Sequence, residues 1–194
     1  MSEFGNGYFG KWIEDEYGLP AYKYTCNQIK DPKAMTPMND LWRDQRDHYF
    51  LVGNDRVVGV ASNFGYIKLR QDEGAPKYLN YHIPELDQYA GGFGYLTDGK
   101  SMLSTYYSGQ VSNFNRVFGI GYFSKRVSNE DYEVNHTIFA PFGDDPILIS
   151  QVDIINKTSQ PVELRWVEYW GCFNFQFSFQ AVIDAIKDLS LIHI

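Results

Sequence analysis

Between Phe118 and Phe173 the chain reads FGIGYFSKRVSNEDYEVNHTIFAPFGDDPILISQVDIINKTSQPVELRWVEYWGCF, and this stretch restricts the fold more than any other. Four strand-like runs follow one another in it. GIGYFSKRV turns at Ser128 to Asp131 into YEVNHTIFAPF, Gly143 to Pro146 leads to ILISQVDIIN, and Lys157 to Pro161 turns the chain into VELRWVEYWGCF. Each run is rich in β-branched and aromatic residues that alternate with polar ones, and Gly, Asn, Asp, Ser or Pro marks every joint. In the third run Ile147, Ile149, Gln151, Asp153 and Ile155 fall on one face, and Leu148, Ser150, Val152 and Ile154 on the other. Both faces are partly apolar, the pattern of a strand covered on two sides. The stretch predicts the middle of a large antiparallel sandwich.

The same residues carry a family resemblance. GIGY at 119–122, APFGDDP at 140–146, the ILISQVDIINKTSQPVELR hairpin and VEYWGCF at 167–173 resemble the N-terminal β-supersandwich domain of glycoside hydrolase family 94. That family holds the cellobiose, cellodextrin and chitobiose phosphorylases and β-1,2-glucan-acting relatives, and the likeness spans roughly two thirds of the chain. The resemblance implies an incomplete supersandwich of the galactose mutarotase-like kind, followed in the family by an (α/α)6 barrel.

Composition sets the outer limits. A length of 194 residues suffices for one sizeable all-β domain, or part of a larger one. Aromatic residues make up 17%, which fits a wide sandwich core and also sugar-stacking platforms, with core the commoner use. The net charge of −7 argues against nucleic acid, which needs a basic footprint. No run of about 18 apolar residues predicts a membrane span. MSEFGNGYFG has neither the basic nor the apolar part of a signal peptide, so the expected location is cytoplasmic. Cys26 and Cys172 form no zinc spacing and no CxxC; two reduced core thiols are the expectation, with one disulfide as the alternative. His48, His82, His136 and His193 are scattered without ligand spacing, so each reads as a packed or surface residue.

From the start of the chain, GYFGKWI and LPAYKYTC form a hairpin around a polar turn at Glu14 to Gly18. HYFLV and RVVGVAS flank Gly53-Asn54-Asp55, and GGFGYLTDG with KSMLSTYY closes at Thr97 to Lys100; both turns hold the residues that tolerate positive φ. NQIKDPKAMTPMN reads as a loop, and Tyr81 to Ala90 as irregular. In DLWRDQRDH, Trp42 sits among Arg43, Asp44, Arg46 and Asp47. An aromatic face beside guanidinium and carboxylate groups is the mixture that stacks on a pyranose and bonds its hydroxyls. The competing reading is a solvated loop with Trp42 in the core. Along YIKLRQDEG, Tyr66, Lys68 and Arg70 share a face, with Asp72 at the strand end.

The paired carboxylates Asp72/Glu73 and Asp144/Asp145 do not predict a glycosidase. Hydrolysis needs two carboxyl groups roughly 5–9.5 Å apart across the scissile bond, whereas sequence neighbours on a strand point apart. Asp144-Asp145-Pro146 reads as turn chemistry. In the family the strand equivalent to 66–70 ends in an Arg-Asp pair with further arginines beyond. Here Gln71 separates Arg70 from Asp72 and the nearest later cation is Lys77, which leaves the sugar unassigned.

The reading is an all-β antiparallel supersandwich, residues 1–188 forming a partial N-terminal domain. Residues 189–194, LSLIHI, resemble translated sequencing-adaptor read-through and are expected to be a non-native tail. The resemblance implies a parent enzyme that uses inorganic phosphate to break a β-glucoside with inversion, needs no cofactor or metal and works as a homodimer. Its partners would be an oligo- or polysaccharide and phosphate. The family's catalytic acid lies on the barrel, so no catalytic residue is carried over. The substrate-binding candidates are Trp42, Arg43, Arg46, Tyr66, Arg70 and Asp72. A hydrolase or transglycosylase of the same architecture, and a stand-alone carbohydrate-binding sandwich, stay open.

Overall fold

The computed structural model describes residues 9–25, 48–71, 77–107, 113–173, 175–176 and 183. The protein is all-β, and every strand pairing is antiparallel. The strands are β1 (Gly10–Glu14), β2 (Pro20–Tyr24), β3 (Tyr49–Gly53), β4 (Val57–Ser62), β5 (Ile67–Gln71), β6 (Lys77–Tyr78), β7 (Gly91–Thr97), β8 (Met102–Ser104), β9 (Phe114–Gly119), β10 (Tyr122–Ser128), β11 (Tyr132–Phe139), β12 (Ile149–Asn156), β13 (Arg165–Trp170) and β14 (Phe175–Gln176), with a 3-10 turn at Pro84–Leu86. They form a six-stranded sheet in the order β1-β2-β9-β10-β11-β12, a three-stranded sheet β13-β7-β8 and a five-stranded sheet β14-β6-β5-β4-β3.

Two apolar clusters show how the sheets face one another. Tyr24, Phe118, Phe123 and Ile138 of the large sheet pack on Val52, Ala61 and Ile67 of β3 to β5. Phe114, Val127, Tyr132 and Val134 pack on Phe93, Leu96 and Leu103 of β7 and β8. The six-stranded sheet is thus one layer, and the two smaller sheets share the other. Alternation decides which side chains take part: along β10, Phe123, Lys125 and Val127 point inward while Tyr122, Ser124 and Arg126 point out. Each large apolar side chain buried here stabilises the fold by about 1.5–3 kcal/mol relative to exposure.

Turn chemistry fixes the hairpins. The β7–β8 turn closes on Asp98, whose Oδ1 accepts the Ser101 N–H at 2.7 Å and the Lys100 N–H at 2.9 Å. Those two N–H groups, followed by the Tyr132 and Ser101 hydroxyls, hold the Asp98 carboxyl at about 2 despite some desolvation. The β3–β4 turn is tied across the molecule: Asn54 Nδ2 donates to the carbonyls of Pro141 and Asp145. Arg56 lies 3.9 Å from Asp144, and the Asp145 carbonyl also accepts the Ile147 N–H at 2.7 Å, so contacts with the β3–β4 turn hold the Asp144-Asp145-Pro146 stretch as a bend.

Several expectations are corrected. GIGYFSKRV is not one run: Phe114–Gly119 ends at a two-residue turn, Ile120-Gly121, and β10 returns from it with Gly119 opposite Tyr122. Gly121 supplies the positive φ of 82° that this turn needs. β12 and β13 do not form a hairpin; they belong to different sheets. Nor is β12 covered on two sides: Ile149, Ile154 and Ile155 are exposed, and among the described residues the strand ends the large sheet. Cys172 is an exposed free thiol rather than a core one, and Cys26 lies outside the described residues. The 189–194 tail lies outside them too.

Candidate functional site

The outer face of the six-stranded sheet carries rows of side chains that only strand register brings together. Ser124 lies opposite Thr137, and Thr137 opposite Gln151. One row along, Arg126, Asn135 and Asp153 are aligned; one row the other way, Tyr122, Phe139 and Ile149. The Thr137 hydroxyl donates to Ser124 Oγ at 3.1 Å, and Gln151 Nε2 donates to Asp153 Oδ2 at 3.2 Å. Both contacts join neighbours on the outer face and use only part of the donor and acceptor capacity of these side chains.

The tip of the β1–β2 hairpin walls this face at one end. Asp15 Oδ1 accepts the N–H groups of Tyr17 and Leu19, each at 2.9 Å, which fixes the tip. The Tyr122 hydroxyl then donates to Asp15 Oδ2 at 2.9 Å and ties the tip to β10. Desolvation raises the Asp15 carboxyl, but the bonds from Leu19, Tyr122 and Tyr17 outweigh it and hold it below the ordinary value. Partial burial and then the bond to Asp15 push the Tyr122 phenol up, so it stays protonated as a donor. Tyr17 is 70% exposed and meets the Tyr122 ring edge-on at 6.3 Å. The result is a cleft of about 780 Å³ with Tyr17, Tyr122 and Phe139 as apolar surfaces and Ser124, Thr137, Asn135, Gln151 and Asp153 as polar ones.

Behind the same strands, facing inward, lies a buried polar chain. The Gly94 N–H donates to Thr105 Oγ1 at 2.9 Å, and Thr105 Oγ1 lies 3.0 Å from His136 Nδ1. His136 Nε2 lies 2.7 Å from Ser150 Oγ, whose hydrogen goes to Glu168 Oε1. With the Ser150 hydrogen committed to the carboxylate, Nε2 carries the imidazole hydrogen and Nδ1 accepts from Thr105. The order is wrong for nucleophilic catalysis, where the imidazole must take the hydroxyl proton. Burial, and then the charge of Lys125, hold the imidazole at about 2, so its 3.8 Å approach to Glu168 is a contact of a neutral ring and not an ion pair. The indole N–H groups of Trp166 and Trp170 complete the Glu168 carboxylate. Fully buried Lys125 donates to the carbonyls of Gly65 and Gly92, and desolvation drives its amine well below the usual lysine value. This chain joins the two layers.

Of the residues singled out in the sequence, Trp42, Arg43, Arg46 and Asp72 lie outside the described residues. Tyr66 is 2% exposed, stacked on His82 at 3.6 Å with its hydroxyl 3.2 Å from that of Tyr49, so its ring presents no face to a sugar. Arg70 is partly exposed with its guanidinium 6.0 Å from the Tyr78 ring centroid. Lys68 Nζ lies 4.2 Å above the Tyr49 ring. A second cleft, about 510 Å³, opens where Trp12, Tyr22 and Tyr49 meet His48; it is almost wholly aromatic and offers few hydroxyl partners. Among the described residues no group of three or more His, Cys, Asp or Glu converges on a metal position. The outer cleft escapes a reading of the sequence because its rows draw on β10, β11 and β12 together. Ser124, Thr137 and Gln151 are ordinary alternating residues until the register is known. No protein-family model and no curated protein sequence matches the chain.

Proposed function

We propose that the chain is a carbohydrate-binding β-sandwich of a carbohydrate-active protein, and that an oligo- or polysaccharide lies along the outer face of the six-stranded sheet. The observation that carries the reading is that the exposed Tyr17 ring, held edge-on to Tyr122, lines one cleft with the in-register row Ser124, Thr137 and Gln151. A pyranose has an apolar face and a rim of hydroxyls, and needs both kinds of partner within one cleft. Glu14, Asp15, Glu16 and Asp153 line the cleft, so its field disfavours polyanionic glycans and leaves neutral ones. The resemblance to the N-terminal domain of family 94 phosphorylases supports a β-glucan as the glycan. On that reading inorganic phosphate and the acid that protonates the leaving group belong to a separate barrel, and this domain holds or orients the chain.

Affinity electrophoresis of the purified chain in gels containing neutral β-glucans tests the reading. The protein is expected to be retarded. Tyr17→Ala, at an exposed hairpin tip, is expected to weaken binding about tenfold, near 1.4 kcal/mol, and Thr137→Val by a smaller factor. Mobility unaffected by every neutral glucan, or retardation indifferent to both substitutions, would refute it.

A further inference from the structure

We propose that β12 is a self-pairing edge, joining two copies of this chain into one continuous sheet about a two-fold axis at Val152. β12 runs eight residues and, among the described residues, ends the six-stranded sheet. Which of its backbone groups face outward follows from one bond beyond the strand: the Lys157 N–H donates to the Asp131 carbonyl at 2.8 Å. In an antiparallel ladder, hydrogen-bonded and non-bonded pairs alternate. With Tyr132 opposite Asn156 and Glu133 opposite Ile155, residues 149, 151, 153 and 155 bond β11. The N–H and C=O groups of Ser150, Val152, Ile154 and Asn156 therefore point away from the sheet. None of them bonds another backbone group among the described residues.

The edge carries few of the features that keep strands apart. Free edges are usually blunted by charge, above all Lys, by Pro or by shortness. The sequence ISQVDIIN has neither Lys nor Pro and Asp153 as its one charge, whereas the opposite edge, β1, is five residues long and carries Lys11 and Glu14. The apolar residues Ile149, Ile154 and Ile155 are exposed along it.

Its own sequence selects a second copy as occupant. A two-fold axis perpendicular to the sheet keeps both cores on the same side and pairs residues of like parity. Centred on Val152, it places Val152 opposite Val152 as a hydrogen-bonded pair, Ser150 opposite Ile154, Ile149 opposite Ile155, and Gln151 opposite Asp153. Every outward N–H and C=O from Ser150 to Ile154 is then matched, and the two Asp153 carboxylates stay apart, each facing an amide. A centre on Asp153 would set the two carboxylates against each other, and one on Gln151 would set Ile149 against Asp153. Of these three neighbouring centres, Val152 alone keeps Asp153 opposite an uncharged polar partner.

Sedimentation velocity of the full 194-residue chain over a concentration series of about 5 to 500 µM tests this, since mass action makes a dimer concentration-dependent. A monomer–dimer equilibrium is expected. Gln151 is exposed, so its replacement leaves the monomer intact. Gln151→Asp sets like charges opposite each other twice, and is expected to raise the dissociation constant about fivefold. Gln151→Lys creates two opposite-charge pairs and is expected to lower it by a similar factor, both effects shrinking in high salt. A chain that stays monomeric throughout, one that grows past the dimer, or a dimer whose constant responds alike to both substitutions would overturn the proposal.

Discussion

Gly65→Ala is expected to lower the unfolding free energy by about 4 kcal/mol, and the midpoint of thermal unfolding by roughly 8–16 °C at the 2–4 °C per kcal/mol typical of this size. Gly65 sits in the buried bend between β4 and β5 with φ at 91°, and its N–H donates to the Ser62 carbonyl at 2.8 Å. A Cβ there would lie 2.2 Å from the Thr105 carbonyl oxygen, which is backbone and cannot rotate aside. Positive φ alone costs a side chain about 1–2 kcal/mol. The collision then forces β5 away from the segment after β8, and with it the carbonyl that holds Lys125. Gly99→Ala separates the two causes. Gly99 has φ of 86° but no atom within 4 Å of where the alanine methyl would lie, so the change is expected to cost only about 1–2 kcal/mol. Equal losses in the two variants would show that the Gly65 collision relaxes freely.

Acidification from pH 6.5 toward 4.5 is expected to destabilise the fold by about 1.4 kcal/mol per pH unit through His136 alone. Its folded value, about 2, lies below the ordinary 6.5, so in between the unfolded chain binds a proton that the folded chain does not. The stability is complete above 6.5 and is lost as pH falls toward 2. Lys125 faces the same ring from β10 and acts with the same sign: its lowered folded value makes stability rise with pH up to the ordinary lysine value of 10.5. Glu168 is the carboxylate of the cluster. Glu133 is held below its ordinary 4.5, chiefly by the Arg126 hydrogen bond, so its stabilisation is lost only as pH falls further. Urea denaturation of the wild type and of His136→Gln between pH 4.5 and 7.5 separates the contributions. The variant, less stable at neutral pH, is expected to lose the slope between 6.5 and 4.5; an unchanged slope would place its origin elsewhere.

The hairpins are legible in the sequence because their turns have local chemistry. Asp98-Gly99 and Gly53-Asn54-Asp55 hold residues that close tight turns wherever they occur. The β9–β10 turn is not legible, since FGIGY keeps the aromatic alternation of a strand through its own reversal. Periodicity shows that both faces of β12 are partly apolar, but not that the strand lies at an edge; that depends on which strands pair with which. The two-residue period places Tyr66 with Lys68 and Arg70. It does not say that the Tyr66 ring meets His82, from an irregular segment distant in sequence. Lys125 and His136 fall inward against their usual preference because carbonyls of Gly65 and Gly92 and the hydroxyls of Thr105 and Ser150 await them there. No local rule places those partners. The outer cleft needs the register of three strands and a hairpin tip about a hundred residues away, bound by the Tyr122–Asp15 bond across 107 positions.

The most direct test of glycan binding on the outer face is a titration of the isotopically labelled chain with neutral β-gluco-oligosaccharides, followed by amide chemical shifts. Saturable shifts are expected at Tyr17, Ser124, Thr137 and Gln151, with the amides around Trp12, Tyr22 and Tyr49 unmoved. Shifts confined to the aromatic cleft at Tyr49, or no saturable shift with any neutral glucan, would contradict the assignment of the outer face as the sugar site.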